Sequence, residues 1–196
     1  MNTLNRRPGF EYMDFDDFEE PLLDKPDGEK WELIGGRVIR GMVGARWDHN
    51  RIVVNITSAL LASLRAKGSS CRPFSETFWL KQRFIDLAVF PDVVVQCAPL
   101  PSDAVSTDNP VALFEVLSRG SEQRDRVEKW QLYQRLSSLQ HYIIVERDSV
   151  AIDVFDKVDA GWLARPRLQS LGDAVDLHAV GVMVPAREIY RDVIGG

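Results

Sequence analysis

The chain is poor in cysteine and has no long hydrophobic run. Its two cysteines, Cys71 and Cys97, show neither the CxxC spacing of a zinc site nor the density of a disulfide scaffold, so we expect both to be reduced packing residues. No apolar stretch approaches the roughly 18 to 20 residues that cross a bilayer. Residues 1–8 lack the apolar core of a signal peptide. These absences predict a cytoplasmic protein without a membrane partner.

Positive charge is also scarce. The chain has 24 Lys and Arg against 29 Asp and Glu, which gives a net charge of −5. Because Lys and Arg supply most of the non-specific affinity for nucleic acid, this balance argues against a large basic binding surface. A bound divalent cation can offset part of an acidic site, and only the local field at a cleft steers a substrate. The charge therefore disfavours a nuclease without excluding one.

The remaining composition is that of an ordinary globular protein. A hydrophobic content of 45% in 196 residues is enough for one core, and the chain is short for two. We expect a single domain over residues 1–196, in which residues 1–29 form an N-terminal acidic extension. Within that extension, residues 13–20 read as a short acidic helix that Pro21 ends.

Strand and helix patterns both occur along the chain. Residues 30–34 and 37–42 are separated by Gly35-Gly36, the two-residue signal for a tight hairpin. A long amphipathic helix follows from Asp48, a suitable N-cap, to Gly68. The later expectations are strands at 77–82 and 84–96, a loop at 98–110, a strand at 111–117, a helix at 121–137, a hairpin of 142–146 with 150–155, a strand pair of 162–168 with 179–184, and a closing helix from Pro185 to Tyr190.

Two acidic residues stand where apolar residues are expected. Asp92 precedes a run of three valines, and Glu115 lies between Phe114 and Val116. Burying an unpaired carboxylate is costly, so each acid needs a partner. Asp92 has a purely structural alternative, in which it ends a strand and bonds a backbone amide. Glu115 has another, in which it forms a salt bridge with a lysine and no metal.

The helix predicted over residues 121–137 supplies that lysine. At 100° per residue from Asp125, Lys129 lies at about 40°, close to Leu132 and Leu136 on the apolar stripe. Lys129 should therefore point toward the sheet. Asp125 lies four residues before Lys129, a spacing that also suits an ordinary helical ion pair.

Two acids and a lysine are the groups that phosphodiester hydrolysis needs. The reaction requires a nucleophilic water and neutralisation of charge on the phosphate and the leaving oxygen, and Mg²⁺ or Mn²⁺ bound by oxygen ligands supplies both. Asp92, Glu115 and the backbone carbonyl of Val116 are candidate metal ligands. Lys129 is a candidate for orienting the water or stabilising the transition state.

These residues carry a resemblance to a known family. The segments are Pro91-Asp92, Glu115-Val116-Leu117-Ser118, Arg124-Asp125, Lys129, Tyr133 and residues 141–145. They resemble the PD-(D/E)XK nuclease superfamily, and more closely its branch described as putative restriction endonucleases, long catalogued as a domain of unknown function. The resemblance covers most of the chain from Trp31 onward. It implies an α/β fold with a restriction-endonuclease-like core, in which a mixed central β-sheet is flanked by helices.

The resemblance also assigns residues. Asp92 matches the Asp of the Pro-Asp element, and Glu115 matches the second acid. The superfamily's lysine usually stands two residues after that acid, where this chain has Leu117. In the resembling branch the basic residue comes from the following helix, which Lys129 fits. Gly35 stands where relatives usually have an acid, which puts in doubt a role for that turn.

Further residues are accessory candidates with open alternatives. Glu32 is an additional ligand or acid, or a strand residue facing water. His49 contacts phosphate or assists proton transfer, or it is a surface residue at a helix start. Asp125 joins the site or only pairs with Lys129. His141 and His178 have no evident metal-ligand company. A group of arginines either holds a DNA backbone or forms a solvated helix face: Arg119, Arg124, Arg126 and Arg135.

The sequence thus supports two functions. The first is a Mg²⁺-dependent or Mn²⁺-dependent deoxyribonuclease with Asp92, Glu115 and Lys129 as its catalytic residues and DNA as its partner. A homodimer would fit it, because double-strand cleavage needs two sites. The alternative is a catalytically silent protein of nuclease fold that acts as a regulatory or partner-binding module.

Overall fold

The computed structural model describes residues 12–22, 25, 27–42, 44–118 and 122–194. Its helices are α1 (Phe15–Leu22), α2 (Trp47–Ala66), α3 (Trp130–Tyr133) and α4 (Ala186–Ile189), with a π-helical segment (Arg124–Lys129) running directly into α3. Its strands are β1 (Glu29–Ile34), β2 (Arg37–Met42), β3 (Arg72–Ser75), β4 (Trp79–Gln82), β5 (Leu87–Val89), β6 (Val93–Gln96), β7 (Ser106–Thr107), β8 (Pro110–Val116), β9 (His141–Val145), β10 (Ile152–Val158), β11 (Gly161–Ala164), β12 (Ala174–Leu177) and β13 (Val182–Pro185).

The strands form two larger sheets and a hairpin. The central sheet has the order β11-β10-β9-β8-β6-β3, and it is mixed because β8 and β9 pair in parallel while its other pairs are antiparallel. A second sheet has the order β2-β1-β5-β4-β7, and β12 pairs with β13. The predicted fold class, a mixed sheet flanked by helices, is confirmed.

The two faces of the central sheet pack against different helices. Val93 and Val95 of β6 share a core with the apolar stripe of α2, from Ile52 to Leu64. Val94, between them, joins the core on the opposite face together with Tyr133 of α3. Side chains alternate along a strand, so residues two apart face the same helix. This alternation decides which face each acid of the site occupies.

Several sequence predictions are confirmed in outline. The hairpin of β1 and β2 turns at Gly35 and Gly36, both of which have positive φ, 58° and 82°, where glycine is favoured. The long helix α2 begins at Trp47, so Asp48 lies in its first turn and the cap position is Arg46. The closing helix follows Pro185 as expected.

Three predictions were wrong. The continuous strand at 84–96 is two strands, β5 and β6, in different sheets, and the chain changes sheet at Phe90-Pro91-Asp92. The predicted pairing of 162–168 with 179–184 does not form, because β11 pairs with β10 and β13 pairs with β12. The first helix does not end at Pro21, because α1 begins at Phe15 and continues through Pro21 to Leu22.

The cysteines are joined rather than reduced. Cys71 and Cys97 form a disulfide with a Cα–Cα distance of 3.8 Å. The antiparallel pair β3 and β6 ends at Arg72 opposite Gln96, and the next pair in that register is Cys71 and Cys97. A spacing of 26 residues carries no sign of this register, so the sequence could not reveal the bond.

Candidate active site

A cavity of about 600 Å³ opens between the β1–β2 hairpin, the start of α2 and the edge of the central sheet where β6 begins and β8 ends. The charged and titratable side chains that line it are Lys30, Glu32, Arg46, His49, Glu76, Asp92, Glu115, Arg124, Asp125, Lys129 and Arg147. All six side chains named from the sequence as catalytic or accessory candidates are in that set. The structure therefore gathers them at one place.

Asp92 and Glu115 are neighbours across two antiparallel strands. Val93 pairs with Phe114, so the next positions in the same register are Asp92 and Glu115. Side chains of directly opposed residues lie on the same face. That face is the one turned toward α3, because Val94 and Leu113, each two residues away, pack in that core. Asp92 Oδ2 also accepts the backbone N–H of Val116 at 2.7 Å.

Lys129 reaches the same face from the π-helical segment. Its Nζ lies 3.0 Å from Glu115 Oε1 and 3.1 Å from Asp125 Oδ1, and its side chain is 5% exposed. Asp125 is equally buried on the same segment. The predicted inward direction of Lys129 is confirmed. Segments of π-helix are frequent at functional sites.

The charges at this place do not balance. Lys129 faces three carboxylates, since Glu32 Oε1 lies 4.0 Å from its Nζ in addition to Glu115 and Asp125. Asp125 Oδ1 is buried and accepts no well-aligned hydrogen bond from any described residue, despite its closeness to the ammonium. Most buried polar atoms are satisfied, so an unsatisfied one calls for an explanation. The cluster holds more negative charge than its lysine offsets.

The ionisation of the cluster reflects this excess. Burial raises the pKa of Glu115 to about 8, Lys129 opposes the rise, and the nearby Asp125 and Asp92 add to it. Burial alone would lower the pKa of Lys129, but Asp125, Glu115 and Glu32 together raise it well above its ordinary value. Lys129 is therefore an ammonium at neutral pH, and Glu115 needs further positive charge to ionise fully.

Glu32 is buried in the cleft, so its water-facing alternative is wrong. Its Oε1 accepts the backbone N–H of Phe90 at 2.9 Å, and its Oε2 lies 3.8 Å from Arg124. The first contact ties strand β1 to the point where the chain changes sheet. Glu32 thereby helps to fix the position of the neighbouring Asp92.

His49 is also part of the cleft rather than a surface residue. Its Nε2 lies 3.3 Å from Asp92 Oδ1 and 4.0 Å from Glu76 Oε1, and its side chain is 12% exposed. Burial alone would lower the pKa of His49, but the hydrogen bond and the charge of Asp92 raise it. The same contact, against the opposing effect of burial, holds the pKa of Asp92 below its ordinary value.

Three residues in or beside the cleft were given no role from the sequence, although Tyr133 is one of the positions that carry the resemblance. The Tyr133 hydroxyl donates to Glu115 Oε1 at 2.9 Å, and its position four residues after Lys129 is a signal that could have identified it. Glu76, in the β3–β4 turn, and Arg147, after β9, also line the cavity. Their sequence neighbours give no such signal, because both positions depend on how separate segments pack.

The predicted arginine group is dispersed. Arg124 lines the cavity, whereas Arg126 forms ion pairs with Glu146 and Asp153 at 2.5 and 2.7 Å. Arg135 is exposed after the end of α3. Arg119 lies outside the described residues.

The histidines expected to stand apart come together elsewhere. His141 Nδ1 lies 2.7 Å from Asp156 Oδ1, and the His178 ring centroid is 4.3 Å from that of His141. His141 Nε2 accepts the N–H of Ala179 at 3.1 Å, and Arg165 donates to Asp156. We call these five residues the His141 cluster. Each buried polar atom named here has a partner within it.

The mixed sheet with its acidic cleft defines an α/β protein of nuclease-like architecture. The chain belongs to the Uma2 family, described as "Putative restriction endonuclease", whose model matches residues 14–182. That span includes every residue of the cleft named above. Among the described residues, none of the helices combines the length and the apolar character needed to span a bilayer.

Two proteins of Synechocystis sp. are similar to this chain in sequence, and a solved structure from Anabaena variabilis is similar to it in fold. "Uncharacterized protein slr1290" of Synechocystis sp. is 32% identical over 169 residues, which cover 83% of this chain and 84% of the relative. "Uncharacterized protein sll1609" of the same organism is 26% identical over 140 residues, 69% of this chain and 77% of the relative. A crystal structure of a putative nuclease belonging to DUF820 from Anabaena variabilis superposes with a TM-score of 0.71 at 16% identity, covering 91% of this chain and 97% of the other.

Proposed function

We propose that this protein is a divalent-metal-dependent endonuclease that hydrolyses DNA phosphodiester bonds in the cleft around Asp92, Glu115 and Lys129. The observation that carries the proposal is the convergence of three carboxylates, those of Glu32, Glu115 and Asp125, on one buried lysine, where Asp125 Oδ1 accepts no well-aligned hydrogen bond from a described residue. Membership in the Uma2 family, described as "Putative restriction endonuclease", supports the same conclusion.

The purely structural alternatives do not account for the whole cluster. Asp92 does bond a backbone amide and Glu115 does pair with Lys129, as those alternatives require. These alternatives do not explain why Asp125 and Glu32 also lie near the Lys129 ammonium, which already pairs with Glu115. Replacing a buried ion pair by apolar residues is often neutral or stabilising, so packing alone gives no reason for several buried acids here.

The donor set fits Mg²⁺ or Mn²⁺. Carboxylates of Asp92 and Glu115 would hold the ion together with the carbonyl oxygen of Val116, and hard cations take such oxygen ligands. The N–H and C=O of one strand residue point to the same side, and the Val116 N–H points to Asp92. A bound ion would supply charge neutralisation at the phosphate and a more acidic water.

Lys129 acts as a donor rather than a base. The neighbouring acids keep it protonated, so it cannot accept a proton from the attacking water at neutral pH. Its ammonium can donate hydrogen bonds to a phosphate oxygen or to that water, in a buried place where such contacts are strongest. Glu115 links Lys129 to Tyr133, because the Lys129 ammonium and the Tyr133 hydroxyl both donate hydrogen bonds to Glu115 Oε1.

The rim of the cavity supplies local positive charge for a DNA backbone. Lys30, Arg46, Arg124 and Arg147 line it in addition to Lys129. Charge near the cleft steers a polyanion even when the whole protein is acidic. The proposal therefore does not require the broad basic surface that the composition disfavours.

A cleavage assay tests the proposal. Supercoiled plasmid, linear duplex and single-stranded DNA, with RNA in parallel, are incubated with the full chain in Mg²⁺ or Mn²⁺, and again with EDTA. We expect metal-dependent cleavage of DNA by the wild type and at least about 10³-fold slower cleavage by Asp92→Asn, because a ligand of the metal is lost.

Asp103→Asn is the matched control, because the same change is made at an exposed acid outside the cavity. It should cleave at the wild-type rate. Wild-type protein that cleaves nothing under these conditions, or Asp92→Asn that cleaves normally, would contradict the proposal. The first result would favour the silent, partner-binding module.

A further inference from the structure

A second set of donor atoms includes Asp92 but not Glu115. His49 Nε2, Glu76 Oε1 and an Asp92 oxygen all lie within 4.8 Å of one another. They come from three separate segments: the first turn of α2, the β3–β4 turn and the start of β6. All three residues line the cavity, and none is fully exposed, with side-chain exposures of 12%, 35% and 13%.

The spacing of these atoms suits one small cation. Ligand atoms about 2.1 Å from an ion lie about 3.0 to 4.2 Å from one another in tetrahedral or octahedral geometry. The Nε2–Asp92 Oδ1 distance is 3.3 Å, and the Nε2–Glu76 Oε1 distance is 4.0 Å. An ion between them would therefore require only small side-chain movements.

We propose that His49, Glu76 and Asp92 form a second divalent-cation position, which prefers Mn²⁺ or another first-row transition ion over Mg²⁺. The inference rests on the proposed function, because Asp92 is shared with the position formed by Glu115 and Val116. It adds a site with its own donor chemistry. The first position offers oxygen atoms alone, whereas the second includes an imidazole nitrogen.

The nitrogen donor determines the metal preference. Mg²⁺ takes oxygen ligands almost exclusively, while imidazole suits first-row transition ions. The two positions should therefore respond differently to competition between metals. Mg²⁺ should displace Mn²⁺ from the Glu115 position at concentrations at least about tenfold lower than from the His49 position.

The backbone holds Glu76 close to Asp92. The Glu76 N–H donates to the carbonyl of Asp92 at 3.4 Å, and Glu76 has a φ of 46°. That left-handed conformation is uncommon for a residue with a side chain and places the carboxylate at the cavity.

The His141 cluster lacks the features that favour metal binding. Its donor atoms are equally close, but both nitrogens of His141 are hydrogen-bonded. The Arg165 guanidinium donates to Asp156, where it would repel a cation. A histidine variant in this cluster is therefore a suitable control.

Mn²⁺ binding to the full chain tests the inference without reference to activity. Free Mn²⁺ is measured by electron paramagnetic resonance during titration of the wild type, His49→Gln, Glu76→Gln, Glu115→Gln and His178→Gln, with folding of each checked by thermal melting. We expect two ions per chain for the wild type and His178→Gln. We expect one ion for each of the other three variants.

The outcomes separate this inference from the proposed function. A single ion that Glu115→Gln removes, and that both His49→Gln and Glu76→Gln retain, would overturn the second position and leave the first intact. A single ion that His49→Gln and Glu76→Gln each remove, and that Glu115→Gln retains, would support the second position and overturn the role of Glu115. No bound ion would overturn both. Glu76→Gln keeps the test decisive if His49→Gln misfolds, because Glu76 lies in a partly exposed turn.

Discussion

The cleft and the His141 cluster are both groups of charged side chains inside the protein, but they are organised differently. In the His141 cluster, each buried polar atom meets a partner: His141 bonds Asp156 and Ala179, and Asp156 also accepts from Arg165. In the cleft, Lys129 is shared among three acids, and Asp125 Oδ1 has no aligned donor among the described residues.

This difference distinguishes a cluster that contributes to stability from one that the proposed function would use. A buried polar group that is fully paired contributes to stability, since removing its partner exposes the cost of desolvation. A buried group with surplus charge is unfavourable until something else binds. On the proposed function, a cation and a substrate offset the surplus in the cleft, whereas the residues of the His141 cluster balance one another. The two should respond in opposite ways to substitution, metal and pH.

The largest difference concerns catalysis. Lys129→Met should slow metal-dependent DNA cleavage by about 10³-fold, because it removes the buried charge that would stabilise the transition state. Lys157→Met is the matched change outside the cleft, where Nζ donates to the carbonyls of Leu136 and Ser137. It should keep the wild-type rate within about twofold. Equal loss in both variants, measured on plasmid DNA, would contradict the assignment of Lys129.

Stability should show the opposite pattern. Asp156→Asn should lower the free energy of unfolding by about 3 kcal/mol, because it breaks a fully paired buried cluster. Asp125→Asn should change it by less than about 1 kcal/mol, since the removed charge is part of a surplus. Urea unfolding in EDTA measures both. A larger loss for Asp125→Asn would show that the cleft is held together by its own ion pairs.

The acids of the cleft could be predicted because their anomaly is local. Glu115 lies between Phe114 and Val116, so an acid in a buried strand is visible in five residues of sequence. Lys129 follows from helical periodicity, another local property. The π-helical segment has wider turns than an α-helix, but residues four apart still share a face. The predicted direction of Lys129 therefore holds, and Asp125 and Lys129 are both buried.

The remaining features depend on contacts distant in sequence. Cys71 meets Cys97 only through the register of β3 and β6. Glu76 reaches the cleft through a turn whose path is set by packing. The run from 84 to 96 reads as one strand because both halves are apolar, and the change of sheet at Pro91 leaves no mark on that pattern. Periodicity reports burial but not which sheet buries a strand.

Metal should stabilise the cleft specifically. Mg²⁺ at 100 times its dissociation constant should raise the free energy of unfolding by about 2.7 kcal/mol, because a ligand that binds only the folded state adds to its stability. Asp92→Asn should lose this increment. Asp156→Asn, although less stable, should retain it in full. Thermal melts across a Mg²⁺ titration measure the increment, and its persistence in Asp92→Asn would place the ion elsewhere.

The last difference concerns the pH dependence of stability without metal. The pKa of Glu115 rises from an ordinary 4.5 to about 8 in the folded protein, mainly through burial. Between these values the folded state binds a proton that the unfolded state has lost. The contribution of Glu115 to stability is therefore complete below pH 4.5 and is lost as pH rises toward 8, with a slope of at most about 1.4 kcal/mol per pH unit.

Glu115→Gln isolates this contribution, because glutamine keeps the acceptor for Tyr133 but has no proton to lose. Its free energy of unfolding in EDTA should fall less steeply than that of the wild type between pH 5 and 8. Glu20→Gln, at an exposed position of α1, should follow the wild-type curve. Parallel curves for all three proteins would mean that Glu115 is already ionised without metal. The surplus of charge that distinguishes the cleft from the His141 cluster would then be balanced by the protein itself.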